Sequence, residues 1–580
     1  MDLHAVAVQK YVKSFVNGLY DAKVREVVIC PGSRSTPLIL AFSKDERFRT
    51  WILYDERSAA FFALGNGKSS LIPSALVSTS GTAAANFLPA IVEAKLSRVP
   101  LIAITADRPP ESRDFGAPQT IDQVRIYGSY AKFFQDMPTA EHEVPSLSRY
   151  SQLVGARASY IAQTVPRGPV HVNFSFREPI LSAEDLMADF ESSPHLLITR
   201  VRTTPEKKDV IEALKEINDG SKGAIVVGPG KYDRDQLCDK LSQLSGLLGW
   251  PILGDPLANL RNEKAPFGLV RCYEYLLRNK SFRESNLPEW MIQVGSVPTS
   301  KELNAFTENA RKIILDDAVG EWRDPGFSVC NMIYGDFEIS LSIINEALRN
   351  FRAQTEWLDS WREADDKASK AVDQLMERID QPFEGKLFHH LSKILKPSSP
   401  LTVVVGNSMP VRDLDAFFLD GDKNIELVAN KGANGIDGVV STAMGVSALE
   451  GNVLLIIGDI SFYHDMNGLL ASRLNDLKAT IIVVNNKGGG IFSFLPQHSL
   501  LPEQLYEKLF GMPHDLDFSG VKTIYGGKYY RVDKWETFDQ AFSGSLESEG
   551  LKIIEFIALD REANLDMHRS TFQDIASRVM

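Results

Sequence analysis

Short runs of aliphatic, mostly β-branched residues recur along the whole chain, separated by stretches of helical character. Val27–Cys30, Ser74–Ser78, Leu101–Thr105, Ala224–Val227, Met291–Val294, Ile313–Leu315, Val403–Val405, Val453–Ile457 and Thr480–Val484 are predicted strands. Most end in Gly, Pro, Asp or Asn. A strand that is apolar at nearly every position has no face to give to water, so it belongs in a parallel sheet covered on both sides by helices. The pattern predicts an α/β chain built from three doubly wound parallel-sheet domains. Gly168–Leu181 reads as the last strand and exit of a first domain, 1–182, and the polar segment from Ser182 to about Lys208 as a linker. A central domain is expected at 200–345. A charged helical stretch from about Asn345 to Arg378, with Trp357 and Trp361 on one face, leads to a third domain at 375–580.

Composition narrows the picture. The 580 residues are 44% apolar and 24% charged, enough for several cores and unlike a disordered chain. A net charge of −12 speaks against general nucleic-acid binding but leaves room for a local basic pocket. Cys30, Cys238, Cys272 and Cys330 form no CxxC pair, so neither a zinc cage nor a disulfide framework is expected. The N-terminus lacks a basic region followed by an apolar core, and runs such as Val453–Ile457 are about a quarter of a membrane span. A cytoplasmic protein without a membrane span is the expectation.

The sharpest local signal lies at Val453–Asn486. A strand ends in Gly458-Asp459, a helical segment follows at about His464–Leu477, and a second strand ends in Asn485-Asn486 before Lys487 and Gly488-Gly489-Gly490. One right-handed crossover places Asp459 and Asn486 at the carboxyl ends of two parallel strands, the edge where open α/β sheets bind ligands. A carboxylate, an amide oxygen and the Gly488 carbonyl are three hard oxygen ligands. With diphosphate oxygens and a water they would complete an octahedron around Mg²⁺, Mn²⁺ being possible. The amides of Ile460 and Ser461 would meet phosphate oxygens. A lone Gly-Asp after a strand would be an ordinary helix cap. The Asn-Asn pair 27 residues on makes it a thiamine-diphosphate fingerprint. Two other glycine motifs are set aside. Gly65–Ser69 ends like a phosphate loop, but Phe62 stands where its first glycine must be. Gly228-Pro229-Gly230 lacks the third glycine of a dinucleotide turn.

Thiamine diphosphate also needs a carboxyl group to hydrogen-bond its aminopyrimidine ring. Glu56, at a predicted strand end leading into the small-residue helix that follows Ser58, meets that requirement. Alone, Asp55 and Glu56 would read as a helix cap; with the Gly-Asp and Asn-Asn elements, Glu56 is the better assignment. Arg34, Arg108 and Arg412 each follow a predicted strand, where bidentate recognition of carboxylates would occur in an otherwise acidic protein.

The segments Pro31–Pro37 (PGSRSTP), Asp55–Arg57, Thr105–Glu111 (TADRPPE), Gly406–Asp413 (GNSMPVRD), Asn430–Gly438 (NKGANGIDG) and Asn485–Phe492 (NNKGGGIF) together resemble the 2-succinyl-5-enolpyruvyl-6-hydroxy-3-cyclohexene-1-carboxylate synthase family, the thiamine-diphosphate carboligases of menaquinone biosynthesis. The likeness spans the chain. It implies decarboxylation of 2-oxoglutarate and 1,4-addition of the succinyl unit to isochorismate. It also implies a pyrimidine-binding first domain and a diphosphate-binding third domain that meet across a subunit interface, hence a dimer or tetramer. By resemblance, Glu56 would be the activating acid, and Asp459, Asn486 and Gly488 would hold the metal. Ile436 would bend the cofactor, with Gly458, Ile460, Ser461, Ser408 and Ile491 also against it. Ser33, Arg34, Arg108, Gln119, Lys301, Ser408, Arg412 and Lys431 would hold substrate, and Ile491 and Phe492 would wall the carbocycle. The chain departs from the family at Glu302, where Arg is common, and at Lys431, where the planar fork of Arg is replaced by a point charge. Within thiamine chemistry the competing reading is acetohydroxyacid synthase or a simple 2-oxo-acid decarboxylase. Outside it, a nucleotide-dependent oxidoreductase would need the glycine fingerprints that are missing here.

Overall fold

The computed structural model describes residues 3–181 and 195–579; the first part of the expected linker, 182–194, lies outside the described residues. Among the described residues eighteen strands form three six-stranded sheets in which every pairing is parallel. The first comprises β1 (Glu26–Ile29), β2 (Arg49–Ile52), β3 (Ser74–Ser78), β4 (Leu101–Asp107), β5 (Phe134–Met137) and β6 (Pro169–Ser175). The central sheet comprises β7 (Gly223–Val227), β8 (Ile252–Gly254), β9 (Leu269–Val270), β10 (Trp290–Val294), β11 (Arg311–Asp316) and β12 (Val329–Tyr334). The third comprises β13 (Leu401–Val405), β14 (Ile425–Val428), β15 (Val453–Gly458), β16 (Ala479–Asn485), β17 (Lys528–Val532) and β18 (Leu551–Ile557). The nine predicted apolar strands are all present, as is the strand expected within Gly168–Leu181 (β6), and the fold class is α/β as expected.

The sheets are of two kinds. The first and third share one strand order, β2-β1-β3-β4-β6-β5 and β14-β13-β15-β16-β18-β17. The central sheet, β12-β11-β10-β7-β8-β9, has the order of dinucleotide-binding sheets. In the first and third, the order reverses between β1 and β3 and between β13 and β15, and a crevice opens beyond the carboxyl ends at such a point.

Two helices lock the first and third sheets together. The Glu56–Ser70 helix packs on the Val439–Glu450 helix at a crossing where both backbones come close. A Cβ on Gly65 would lie 2.2 Å from the Thr442 carbonyl oxygen, and one on Gly445 would lie 2.0 Å from that of Phe62. Neither position has room for a side chain. Phe61, Phe62, Val440 and Met444 are fully buried around this crossing, each contributing about 1.5–3 kcal/mol by leaving water. The Gly65–Ser69 motif is thus inside a helix and forms no phosphate loop.

Two expectations about helices change. The connecting segment is two helices, Phe337–Ala347 and Glu356–Arg378; Trp361 is fully buried and its ring centroid lies 6.3 Å from that of Trp357. The helix expected at His464–Leu477 begins earlier, at Asp459, and breaks at Asp465. The buried Asp465 carboxylate accepts from the amide and hydroxyl of Ser441, which ties the chain to the neighbouring helix at that break. All four cysteines are free. Cys30, Cys238 and Cys272 are buried and Cys330 is exposed. Among the described residues no helix is long and apolar enough to cross a membrane.

Candidate active site

A cavity of about 940 Å³ lies beyond the carboxyl ends of the third sheet, at its β13/β15 reversal, with the loops after β7 and β10 of the central sheet as its far wall. Asn407 and Ser408 enter from the end of β13, Gly458 and Asp459 from β15, and Asn486 and Gly488 from β16. Arg412, Lys431, Ile436, Ile460, Ser461, Ile491 and Phe492 also line it. Sequence spacing alone placed Asp459 and Asn486 at adjacent strand tips, and the register of β15 on β16 puts them there.

The local geometry is tightly specified. The Asp459 carboxylate accepts from the amides of Ile460 at 2.7 Å and Gly488 at 3.1 Å. His514 Nε2 lies 3.2 Å from the same carboxylate, which raises the imidazole pKa. No sequence signal had marked His514. Asn486 donates from Nδ2 to Glu384 at 2.8 Å, while its buried Oδ1 has no partner. The Gly488 carbonyl accepts from the Gly490 amide at 3.0 Å and keeps a second lone pair. A carboxylate, an unpartnered amide oxygen and a carbonyl on one cavity wall fit a hard divalent cation. Among the described residues no group of three or more His, Cys, Asp or Glu side chains gathers to hold a metal.

The turn after β13 carries backbone strain. Ser408 has φ +72°, a conformation rare for a residue with a Cβ, and its carbonyl accepts from Arg412 at 2.6 Å. Asn407 Nδ2 donates to the carbonyls of Asn430 and Gly435, both at 2.8 Å, pinning the loop that carries Lys431 and Ile436. Ser461 donates to the Ile436 carbonyl at 2.9 Å, and the Ile436 side chain stands 39% exposed over the cavity. An isoleucine held out of the core this way is available as a prop for a ligand. Burial lowers the Lys431 pKa, with Arg412 acting in the same direction.

The same loop is gripped from the first domain. Glu93, buried, accepts from the amides of Gly432 at 3.0 Å and Ala433 at 2.6 Å, and Lys68 lies 3.8 Å from it while donating to the Ala429 carbonyl at 3.0 Å. Lys68 belongs to the rejected Gly65–Ser69 motif; its charge serves a buried ion pair. Replacing Glu93 by Ala would leave the Lys68 ammonium without its counter-charge and two amides without acceptors. The expected cost is on the order of 3–5 kcal/mol, seen as a lowered melting temperature; a melting curve that matches wild type would remove this role.

Six predicted residues are not in this cavity. Ser33, Arg34, Glu56, Arg108 and Gln119 sit on the loops beyond the first sheet, and Lys301 is exposed at the start of the Lys301–Phe306 helix. Arg34 is buried and already engaged, donating to the Phe176 carbonyl at 3.0 Å and paired with Glu178 at 2.8 Å. Gln119 donates to the Ser80 carbonyl at 3.0 Å. Glu56 opens its helix half-buried. A single chain therefore presents two separate groups of candidate residues, one beyond the first sheet and one beyond the third, with Lys301 just past the β10 loop that lines the third-sheet cavity.

Residues 9–126 match the family model of the thiamine pyrophosphate enzyme N-terminal TPP binding domain, and 424–556 that of the C-terminal TPP binding domain. Proteins named 2-succinyl-5-enolpyruvyl-6-hydroxy-3-cyclohexene-1-carboxylate synthase are similar along their whole length. The one from Bacillus cytotoxicus is 40% identical over 98% of this chain and 97% of its own. That from Geobacillus thermodenitrificans is 41% identical over 99% and 97%, and that from Listeria innocua 40% over 100% and 99%. With a thiamine-binding domain matched at each end and this identity from end to end, the chain belongs to the 2-succinyl-5-enolpyruvyl-6-hydroxy-3-cyclohexene-1-carboxylate synthase family of thiamine-diphosphate enzymes.

Proposed function

We propose that the chain is a transferase that decarboxylates 2-oxoglutarate and adds the succinyl unit to isochorismate in a 1,4-addition, yielding 2-succinyl-5-enolpyruvyl-6-hydroxy-3-cyclohexene-1-carboxylate and CO₂ for menaquinone biosynthesis. It acts in the cytoplasm with thiamine diphosphate and Mg²⁺ or Mn²⁺. The cofactor, when bound, supplies a nucleophilic carbon and an electron sink. Asp459, Asn486 and the Gly488 carbonyl hold the cation, and Gly458, Ile460 and Ser461 lie along the diphosphate. Ile436 props the cofactor from one side. Arg412, Lys431 and Ser408 bind substrate carboxylate and hydroxyl groups, and Ile491 and Phe492 exclude water from the carbocycle. The single observation that carries this reading is the buried, unpartnered Asn486 Oδ1 on the same cavity wall as Asp459. The test is an assay with 2-oxoglutarate, isochorismate, thiamine diphosphate and Mg²⁺ in which each is omitted in turn. Activity without the cofactor, or product formed equally without isochorismate, would overturn it.

The remaining first-sheet residues, Glu56, Ser33, Arg34, Arg108 and Gln119, complete the site from a second copy, while Lys301, two residues past the Thr299 that lines the cavity, joins it from its own chain. The first domain, 1–182, is then the pyrimidine side and the third, 375–580, the diphosphate side, joined by the central domain at 200–345. A two-fold dimer would bring the first-sheet loops of one chain over the third-sheet cavity of the other. This arrangement makes a sharp prediction. Mixing and reassembling equal amounts of the inactive Glu56→Gln and Asp459→Ala proteins should restore about a quarter of wild-type activity, because each mixed dimer regains one intact site. Failure to regain activity while mixed dimers form would exclude the shared site.

A further inference from the structure

We propose that Glu384 is the positioning residue of the cation site: its carboxylate fixes which end of the Asn486 amide faces the cavity. The inference rests on the cation reading given above and goes one residue beyond it. An asparagine amide has two ends of nearly equal size and opposite chemistry. Only the oxygen end ligates a hard cation, so something must hold the NH₂ end elsewhere. Glu384 does this. It accepts from Asn486 Nδ2 at 2.8 Å, is 2% exposed, and lines the same cavity. Asn486 Oδ1 is left buried and unpartnered.

A second, independent feature closes the clamp. A Cβ on Gly490 would lie 2.5 Å from Asn486 Nδ2, so the amide is packed between the glutamate and the bare Gly490 backbone. The glutamate is itself immobile. Phe383 before it packs edge-on against the rings of Phe417 and His568, with centroids at 5.6 and 4.7 Å, and a Cβ on Gly385 after it would lie 2.6 Å from the Phe417 ring. A rigid acceptor, a rigid floor and one free lone-pair end are what an outer-shell residue must provide for a ligand. No sequence motif marks Glu384, because the residue lies some hundred positions before its partner, at the first turn of the Glu384–Ile394 helix.

The test is calorimetric titration of Mg²⁺ in the presence of thiamine diphosphate, supported by Mn²⁺ electron paramagnetic resonance, on the full-length protein. Glu384→Ala should weaken cation affinity about 10- to 100-fold. Glu384→Gln, whose side-chain oxygen still accepts from Nδ2, should restore most of it. Asn486→Ala should cost little more in the Glu384→Ala background than Glu384→Ala does alone, because the two residues act as one unit. Additive losses, or unchanged affinity in Glu384→Ala, would overturn the proposal. If Glu384→Ala does not fold, Gly490→Ala reads the same clamp from its other side: at least a tenfold weakening supports the proposal and wild-type affinity overturns it. Absence of Mg²⁺-dependent cofactor binding in the wild-type protein would instead sink the cation reading itself, so the two failures are distinguishable.

Discussion

Glu56→Gln is expected to lower turnover by about 10²- to 10⁴-fold, the range of a lost acid–base group, with thiamine diphosphate binding close to wild type. Two acids, Asp55 and Glu56, stand at the start of the Glu56–Ser70 helix. Asp55 is occupied as its cap, accepting from the Ser58 amide at 3.2 Å and from Asn467 Nδ2 at 3.0 Å. Glu56 has no hydrogen-bond or ion-pair partner among the described residues. It is thus the acid left to a ligand brought by a second chain. Glutamine keeps the size and the hydrogen-bonding reach of the side chain but cannot exchange a proton at neutral pH, which separates binding from catalysis. The measurement is steady-state turnover beside calorimetric cofactor affinity. Wild-type turnover in this variant would remove the assignment.

Asp459→Ala is expected to weaken Mg²⁺-dependent thiamine diphosphate binding by more than about 100-fold, beyond the 10- to 100-fold typical of outer-shell residues. Asp459 is the one carboxylate among the three expected ligands, so it supplies the only full negative charge that faces the cation directly. It also holds the Gly488 amide, and losing it would free the Gly488 turn as well as the ligand. Titration with and without Mg²⁺ checks this. An affinity that matches wild type in the presence of the cation would place the metal elsewhere.

The nine apolar strands were legible because central strands of covered parallel sheets must be apolar throughout. Strands that stayed hidden have physical reasons. β17 is a margin strand with little to bury, and β9 is only two residues long. β18 is central, but Lys552 and Glu555 interrupt its apolar run. Both side chains are satisfied locally, Lys552 by the carbonyls of Ser548 and Gly550 and Glu555 by Asn485 and Tyr529. At the site, Asp459, Asn486 and the glycine turn could be read because one crossover fixes their separation. Lys68, Glu93, Glu384 and His514 could not, since each meets its partner from a different element or domain and leaves no spacing to recognise.

The four thiols divide the molecule in a way that chemistry can use. Cys330 alone faces solvent, whereas Cys30 lies in the layer between the first and third sheets, Cys238 on one face of the central sheet and Cys272 on the other. Burial pushes the Cys238 thiol up to about 11 and also holds Cys30 and Cys272 well above the ordinary thiol range. An alkylating reagent accordingly meets one ready target in the native state. Modification at each hidden sulfur must wait for its own layer to open, so three built-in clocks time the breathing of three different parts of one chain.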